Sequence, residues 1–241
     1  MQALRSFTYI AVMLVSIVIT ALLMLSLRVF SKNAMYKLAQ SWNSFSLWFL
    51  QFTCGLGYEV EGIENIPEHP GYIIFAKHQS AWETMGLQDI FKFPIAWILK
   101  RSLLWVPFFG WGLSLIKAIG INRSSGRQAI EQLKKLGRQR LEAGIKVMIF
   151  PEGTRVAPGK VGKFKIGGGV LAEYTGASIV PVAHNAGRYW HRRGLVKYPG
   201  TIKVLIGRAI NTQGKTAREI NREAYQWMVD AMRRIDANEN S

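Results

Sequence analysis

The chain has 241 residues, of which 49% are hydrophobic, and its 31 Lys and Arg exceed its 15 Asp and Glu to give a formal net charge of +16. This composition excludes a disordered chain and fits one packed domain with an N-terminal appendage. The positive charge predicts attraction to anionic partners, for which phosphate-rich cofactors, anionic lipids and nucleic acid are all candidates.

The segment 6–27 contains no charged residue and lies between Arg5 and Arg28. As a helix it is long enough to cross about 30 Å of hydrocarbon, so we predict a membrane anchor. A cleaved signal peptide is the alternative, but this apolar stretch exceeds the usual ~7–15 residues and no small-x-small cleavage site follows it. Arg28, Lys32 and Lys37 on the C-terminal flank predict that the remaining chain faces the cytoplasm.

A second helix is predicted over residues 35–53, where aromatic side chains alternate with Ser, Asn and Gln. Trp42, Trp48 and Phe52 are of the kind that favours the headgroup level of a bilayer, so we expect this helix to lie at the membrane interface. A helix packed on the domain core is the alternative, because buried aromatic side chains stabilise that setting equally well.

The rest of the chain alternates short apolar runs with helix patterns. The runs are typical of strands buried on both faces, and they lie at 72–76, 95–99, 147–150, 179–182 and 202–206. Helices are predicted over 126–142 and after the capping box of Thr216 and Glu219. We therefore predict a single α/β domain with a mainly parallel, possibly mixed, sheet flanked by helices. Residues 1–58 would form the anchoring helices and residues 59–241 the α/β domain.

Two polar segments follow predicted strands. The segment 77–83 comes after the strand at 72–76, and the segment 150–155 ends the strand at 147–150. Because ligands gather at the carboxyl ends of parallel strands, neighbouring strands would bring the two segments together.

His78 is the candidate general base, since a neutral imidazole can take a proton from an alcohol that attacks an acyl carbonyl. Glu83 could orient and support the imidazolium, as the acid of a catalytic triad does. Glu83 could instead close a capping box with Ser80 by bonding to the Ser80 backbone N–H. These two roles compete for one carboxylate, and a structural role for His78 is also open.

Arg155 suits a phosphate because its planar guanidinium can donate two parallel hydrogen bonds, and Gly153 allows the backbone to approach a ligand closely. Arg123 is a second candidate phosphate ligand. We expect Glu152 to hold these arginines in place. Singly, each residue could equally serve a surface ion pair.

Metal and nucleotide sites are not predicted. Cys54 is the only cysteine, which excludes an intrachain disulfide and a cysteine cluster, and the four histidines show no metal-binding spacing. The Gly-rich stretch 159–169 carries three lysines but lacks the spacing of a nucleoside triphosphate loop. Residues 159–165 are predicted to be a flexible basic loop beside the site, with an inert solvated loop as the alternative.

Taken together, these motifs resemble the glycerolipid acyltransferase family, whose four ordered blocks all have counterparts between His78 and Val182. The counterparts are His78 to Glu83, Gly120 to Arg123, Phe150 to Arg155, and Val180-Pro181-Val182. Glu83 stands where most members hold aspartate, and the second block is a compressed match. The resemblance implies that His78 and Glu83 are catalytic. It implies that substrate is bound by Arg123, Glu152, Gly153, Thr154, Arg155 and Pro181.

The same resemblance implies transfer of a fatty acyl group to the sn-2 hydroxyl of 1-acyl-glycerol-3-phosphate. The cosubstrate would be acyl-CoA or acyl-carrier protein, without a metal or bound cofactor. With the predicted anchor, it implies an enzyme of the inner (cytoplasmic) membrane whose catalytic domain faces the cytoplasm. Two alternatives stay open, namely a member of the family that acts on another lysolipid and a non-catalytic membrane protein that binds anions. Nucleic acid is not an expected partner, because an anion-binding module needs neither a strand-end histidine nor an E-G-T-R turn.

Overall fold

A computed structural model of the chain describes residues 1–122 and 125–237. Its helices are α1 (Gln2–Phe30), α2 (Lys32–Cys54), α3 (Glu83–Phe91), α4 (Phe109–Leu115), α5 (Gly126–Glu142), α6 (Gly167–Thr175), α7 (Ala186–Tyr189) and α8 (Ala217–Ala237). Its strands are β1 (Leu56–Glu61), β2 (Ile73–Ala76), β3 (Ile95–Lys100), β4 (Ile119–Ile121), β5 (Lys146–Ile149), β6 (Ile179–His184) and β7 (Gly200–Ile206). Two short 3₁₀ helices cover Ile63–Asn65 and Arg101–Trp105.

The seven strands form one sheet in the order β1-β7-β6-β2-β5-β3-β4. Neighbouring strands are parallel except for β6 and β7, which pair antiparallel, so β7 and β1 run against the other five strands. The prediction of a mainly parallel, possibly mixed, sheet flanked by helices is confirmed. The runs at 72–76 and 179–182 became the neighbouring strands β2 and β6, which carry the centre of the sheet.

Successive side chains on each central strand point to opposite faces of the sheet, and both faces are covered by helices. Ile74 on β2 packs in a cluster with residues of α1, α2 and α3, such as Leu50 and Leu87. Ile73 and Phe75 pack in a second cluster with residues of α5, α6 and α8. Burial on both sides explains why the central strands are continuous apolar runs.

Helices α1 and α2 form an antiparallel pair. At their outer ends the Gln2 side-chain amide donates to the Cys54 carbonyl oxygen at 3.0 Å, and near the middle Trp42 Nε1 donates to Ser16 Oγ at 3.0 Å. The turn between the helices is closed by Ser31, whose hydroxyl accepts from the Ala34 N–H at 3.2 Å.

By length and composition α1 can cross a membrane, and only 11% of its most apolar window is buried within the protein. Its N-terminal half nevertheless packs on the domain, where Tyr9 is 1% exposed and contacts Met85 of α3. Membrane association through α1 agrees with the prediction.

Helix α2 has two different faces. One face packs on the core through Met35, Ala39, Leu47 and Leu50, as the alternative for this helix predicted. The other face exposes aromatic rings of Phe45, Trp48 and Phe52. Since α2 packs beside α1, its exposed aromatic face suits the boundary between a bilayer and water.

The carboxylate of Asp89 links α2 to the domain by hydrogen bonds. Asp89 of α3 accepts from Gln40 Nε2 at 2.8 Å and Ser44 Oγ at 2.7 Å, and its other oxygen accepts from the Tyr58 hydroxyl at 2.8 Å. These bonds join α2, α3 and β1, so the helical pair has a defined position over the sheet.

Candidate active site

A cavity of about 1000 Å³ lies where the helical pair meets the carboxyl ends of the central strands. Its walls are mostly apolar side chains from α1, α2, β3 and α4, among them Met13, Ile17, Ala21, Trp42, Leu99 and Leu113. Four polar residues that lie together form what we call the polar end, namely His78, Thr154, Arg155 and Arg192. An apolar volume joined to a few polar groups suits an amphiphilic ligand.

The central contact at the polar end joins His78 to Glu83. His78 Nδ1 lies 2.6 Å from Glu83 Oε2, which makes Nδ1–H the donor and leaves Nε2 to accept a proton. The Glu83 side chain is fully buried, whereas that of His78 is 18% exposed. This arrangement is the one a general base requires, with a ring held by a buried acid and open to a ligand on its other side.

The second oxygen of Glu83 holds the backbone of the same turn. Oε1 accepts from the Gln79 N–H at 2.5 Å and from the Ser80 N–H. Glu83 therefore makes both of the contacts predicted for it, one with each oxygen. The start of the helix differs from a capping box, since α3 begins at Glu83 itself and the Ser80 hydroxyl accepts from the Trp82 N–H at 3.2 Å.

The two predicted polar segments meet as expected, because β2 and β5 are parallel neighbours. The Phe150 ring stacks on the His78 imidazole with centroids 4.0 Å apart and planes 10° from parallel. The Val156 N–H donates to the His78 carbonyl oxygen at 2.7 Å. These contacts fix the ring beside the E-G-T-R turn.

The Glu152 carboxylate pairs with Lys77 and not, as expected, with Arg155, whereas Arg123 lies outside the described residues. Lys77 Nζ lies 2.8 Å and 3.0 Å from the two Glu152 oxygens, and both side chains are buried. The same carboxylate accepts from the His78 N–H at 3.0 Å and from the Gly162 N–H at 2.7 Å. Burial lowers the pKa of Lys77 below its usual value, although the Glu152 charge opposes this shift.

Gly153, Thr154 and Arg155 all line the cavity. Gly153 has φ of 70°, a conformation that side chains disfavour, and its N–H donates to the Phe150 carbonyl at 3.0 Å in the turn. Arg155 Nη1 donates to the Arg192 carbonyl oxygen at 3.4 Å. In turn Arg192 Nη2 donates to Thr154 Oγ1 at 3.3 Å, so the two arginines share the polar end.

Of the two remaining predicted substrate-binding residues, the structure describes one. Arg123 lies outside the described residues. Pro181 is buried within β6, beside Phe75 of β2, and does not line the cavity. The V-P-V block therefore contributes a central strand of the sheet, and no residue of this strand lines the cavity.

His184 lies in the protein interior beside Lys77 and Glu83. It is fully buried, its Nε2–H donates to the Lys77 carbonyl oxygen at 2.9 Å, and its Nδ1 accepts from the Ala186 N–H at 3.3 Å. Burial lowers the pKa of His184, which agrees with a neutral ring in these bonds. Its Nε2 lies 3.9 Å from Glu83 Oε1.

Three residues at the site are not among those predicted to be catalytic or to bind substrate. Lys100, at the end of β3, lines the cavity. Arg192 and Lys77 contact the E-G-T-R turn directly. Lys77 and Lys100 could both have been found, because each is the first cation after a predicted strand, whereas Arg192 is marked in the sequence only by its pairing with the adjacent Arg193.

Comparison with known proteins identifies the class of this fold and site. A family model described as Acyltransferase matches residues 57–185, which include His78, Glu83 and the E-G-T-R turn. The chain belongs to this acyltransferase family.

Two similar proteins are named for the same activity. A 1-acyl-sn-glycerol-3-phosphate acyltransferase of Pseudomonas aeruginosa is 48% identical over 199 residues, covering 81% of this chain and 77% of that protein. The human 1-acyl-sn-glycerol-3-phosphate acyltransferase beta is 30% identical over 177 residues, covering 72% of this chain and 64% of the human protein.

The crystal structure of the 1-acyl-sn-glycerophosphate acyltransferase PlsC from Thermotoga maritima shares the fold. Its TM-score is 0.83 at 21% identity, with 98% of this chain and 96% of that chain covered. The high coverage shows that the N-terminal helices and the α/β domain occur together in both structures.

Proposed function

We propose that this acyltransferase moves a fatty acyl group from a thioester to the sn-2 hydroxyl of 1-acyl-glycerol-3-phosphate, which yields phosphatidic acid for phospholipid synthesis. The single observation that carries the proposal is the His78–Glu83 pair at the polar end of a large apolar cavity, beside Arg155. Relatives named for this reaction support the choice of acceptor.

In the proposed reaction His78 Nε2 takes the proton of the sn-2 hydroxyl as its oxygen attacks the thioester carbonyl. The new C–O bond forms, the C–S bond breaks, and the imidazolium returns the proton to the departing thiolate. Glu83 stabilises the imidazolium through Nδ1 and keeps the ring oriented. The reaction needs the thioester cosubstrate and no bound cofactor, and no acyl-enzyme is formed.

Arg155 is proposed to bind the acceptor's phosphate. Its guanidinium is at the polar end and is oriented by the Arg192 carbonyl, while the apolar walls accept acyl chains. Holding the hydroxyl and the thioester together in this way would supply much of the rate gain, because it replaces an encounter between two molecules by a local reaction.

The helical pair would give the site access to lipids. Since α1 exposes most of its apolar surface and also lines the cavity, a bilayer-dissolved acceptor could enter without crossing water. We propose that α1 anchors the protein in the inner membrane with the α/β domain in the cytoplasm, as the cations at Arg28, Lys32 and Lys37 favour.

The acyl donor is proposed to be acyl-CoA or acyl-carrier protein. Exposed lysines on the loop after the E-G-T-R turn, at positions 160, 163 and 165, give that side of the site a positive potential. Phosphates of CoA and the acidic surface of a carrier protein would both be attracted.

The test is thiol release by the purified protein in detergent. With an acyl thioester and 1-acyl-glycerol-3-phosphate we expect free thiol and phosphatidic acid in equal amounts, the lipid being identified by mass spectrometry. Equal rates with 1-acyl-glycerol, which lacks the phosphate, would overturn the assigned acceptor. Running acyl-CoA and acyl-carrier protein in parallel identifies the donor.

A further inference from the structure

Two guanidinium groups share the polar end of the cavity. Arg155 bonds to the Arg192 carbonyl, and Arg192 bonds to the Thr154 hydroxyl. Within residues 1–122 and 125–237, neither guanidinium has a carboxylate within 4.0 Å. Some exposed arginines of the described residues do pair with a carboxylate, as Arg138 does with Glu142; what distinguishes Arg155 and Arg192 is that they lie together at a cavity. Two uncompensated cations at one place in a cavity call for an anionic ligand.

The backbone that carries Arg192 is held in a closed loop. Trp190 and Lys197 form an antiparallel bridge, and the Tyr198 N–H donates to the Tyr189 carbonyl at 2.8 Å. The Lys197 ammonium lies 4.6 Å from the centroid of the Trp190 ring, which itself lines the cavity. Arg192 therefore starts from a constrained backbone rather than from a free loop.

The same loop is fastened to the membrane helix. The Lys197 N–H donates to Ser6 Oγ at 2.9 Å, and the Gln2 amide donates to the Lys197 carbonyl at 2.6 Å. Lys197 is 1% exposed, so this junction is part of the packed structure. The loop thus joins α1, which lines the apolar part of the cavity, to the polar end where the headgroup would lie.

We propose that Arg192 is a second ligand of the acceptor's phosphate and, with Arg155, selects a phosphate monoester over a phosphodiester. This inference rests on the proposed function, since it names the headgroup that the same site accepts. It adds a residue outside the four motif blocks.

The selection follows from charge. A phosphate monoester has a second pKa near 6 and carries almost two negative charges at pH 7, whereas a phosphodiester carries one. Two guanidiniums match a dianion with three free oxygens, each donating charge-assisted hydrogen bonds to it. A diester has lost one of these oxygens to its second ester bond, so it gains less from the second arginine.

The test measures binding with acceptor analogues that cannot react. The probes are 1-acyl-propanediol 3-phosphate, which lacks the sn-2 hydroxyl, and its methyl phosphodiester, each used as a competitive inhibitor of the wild-type enzyme and its variants. We expect Arg192→Ala to raise the inhibition constant of the monoester about 10- to 100-fold and that of the diester less than about threefold. Arg192→Lys keeps the charge without the planar guanidinium, so its inhibition constant for the monoester should lie between those of the wild type and Arg192→Ala.

A pH series adds a second readout. In the wild type the ratio of diester to monoester inhibition constants should rise from pH 5 to pH 7, as the monoester loses its second proton. In Arg192→Ala this ratio should change less with pH, because the guanidinium that favours the second negative charge is gone. Taking the ratio removes any pH effect of the enzyme that is common to both inhibitors.

The matched control is Arg193→Ala, which removes an exposed neighbouring cation that does not line the cavity. It should leave the ratio of inhibition constants unchanged. If Arg192→Ala weakens both inhibitors equally, or neither, the inference is wrong. A wild-type enzyme that does not acylate 1-acyl-glycerol-3-phosphate would refute the proposed function, and inhibition constants measured against the acceptor that the enzyme does use would still decide the role of Arg192.

Discussion

His78 Nδ1 lies 2.6 Å from Glu83 Oε2 although the two residues are five positions apart, because the chain leaves β2 and turns back on itself before α3 begins. The other oxygen of Glu83 bonds to two backbone N–H groups inside that turn. A glutamate in this position can therefore reach the imidazole and stabilise the loop that carries it.

Replacing this carboxylate should impair the chemical step. We expect Glu83→Gln to lower kcat by about 10²- to 10⁴-fold, since a neutral amide cannot stabilise the imidazolium that forms during proton transfer. The KM for the acceptor should change little. Steady-state thiol release checks this, with Glu68→Gln on an exposed loop as the control. An unchanged kcat with a raised KM would show that Glu83 serves binding instead.

The buried pair of Lys77 and Glu152 should be critical for stability. Removing one partner of a buried ion pair leaves an uncompensated charge, so Lys77→Met should lower the free energy of unfolding by roughly 3–5 kcal/mol. The double variant Lys77→Met/Glu152→Gln should recover part of this loss because no buried charge remains.

Urea unfolding in detergent gives these values, and Lys160→Met, on the exposed loop, is the control. If the loss in the double variant equals the sum of the losses in Lys77→Met and Glu152→Gln, the two side chains do not interact energetically.

His184 should make stability fall at acid pH. Burial lowers its pKa in the folded protein, so below about pH 6.5 the unfolded chain binds more protons than the folded one. Its contribution is fully present above pH 6.5 and is lost as the pH falls towards the folded-state value, by up to roughly 1.4 kcal/mol per pH unit.

The variant His184→Gln isolates this effect, since glutamine does not titrate. It should be less stable than the wild type at pH 7, because the bonds to Lys77 and Ala186 are disturbed, yet lose less stability between pH 7 and pH 5. Urea unfolding at these pH values measures both. Equal acid losses in the two proteins would assign the pH dependence to other groups.

The apolar part of the cavity should determine how long an acyl chain the enzyme accepts. Ala21 of α1 is 3% exposed and lines the cavity, so Ala21→Phe should fill part of it and lower kcat/KM for a palmitoyl thioester on the order of tenfold. An octanoyl thioester, which needs less space, should be affected much less.

The neighbouring change Leu22→Phe is the matched control, because Leu22 is 48% exposed and does not line the cavity. Equal losses for both thioesters in Ala21→Phe would contradict a role for this position in accommodating the acyl chain.

The sequence predicts the centre of this fold better than its edges. Central strands such as β2 are buried on both faces and read as unbroken apolar runs, and α5 and α8 follow helical periodicity with their predicted starts. Strand β1 was missed because it lies at the edge of the sheet, where Glu59 and Glu61 interrupt the apolar pattern. Strand β4 has only three residues.

The site divides in the same way. His78, Glu83 and Arg155 could be predicted because each lies in a short local motif at the end of a strand. The Lys77–Glu152 pair joins residues 75 positions apart, and no local sequence pattern predicts that a lysine is buried or which carboxylate it pairs with. Arg192 reaches Thr154 only because a distant loop is closed and fastened to α1, which is a property of the tertiary structure.

Thiol release by His78→Ala is the most direct test of the whole account. With an acyl thioester and 1-acyl-glycerol-3-phosphate in detergent, the variant should be slower than the wild type by about 10²- to 10⁴-fold, whereas His69→Ala, at an exposed histidine, should match the wild type. Circular dichroism of each variant verifies its fold. A folded His78→Ala protein that releases thiol at the wild-type rate would contradict the assignment of His78 as the general base.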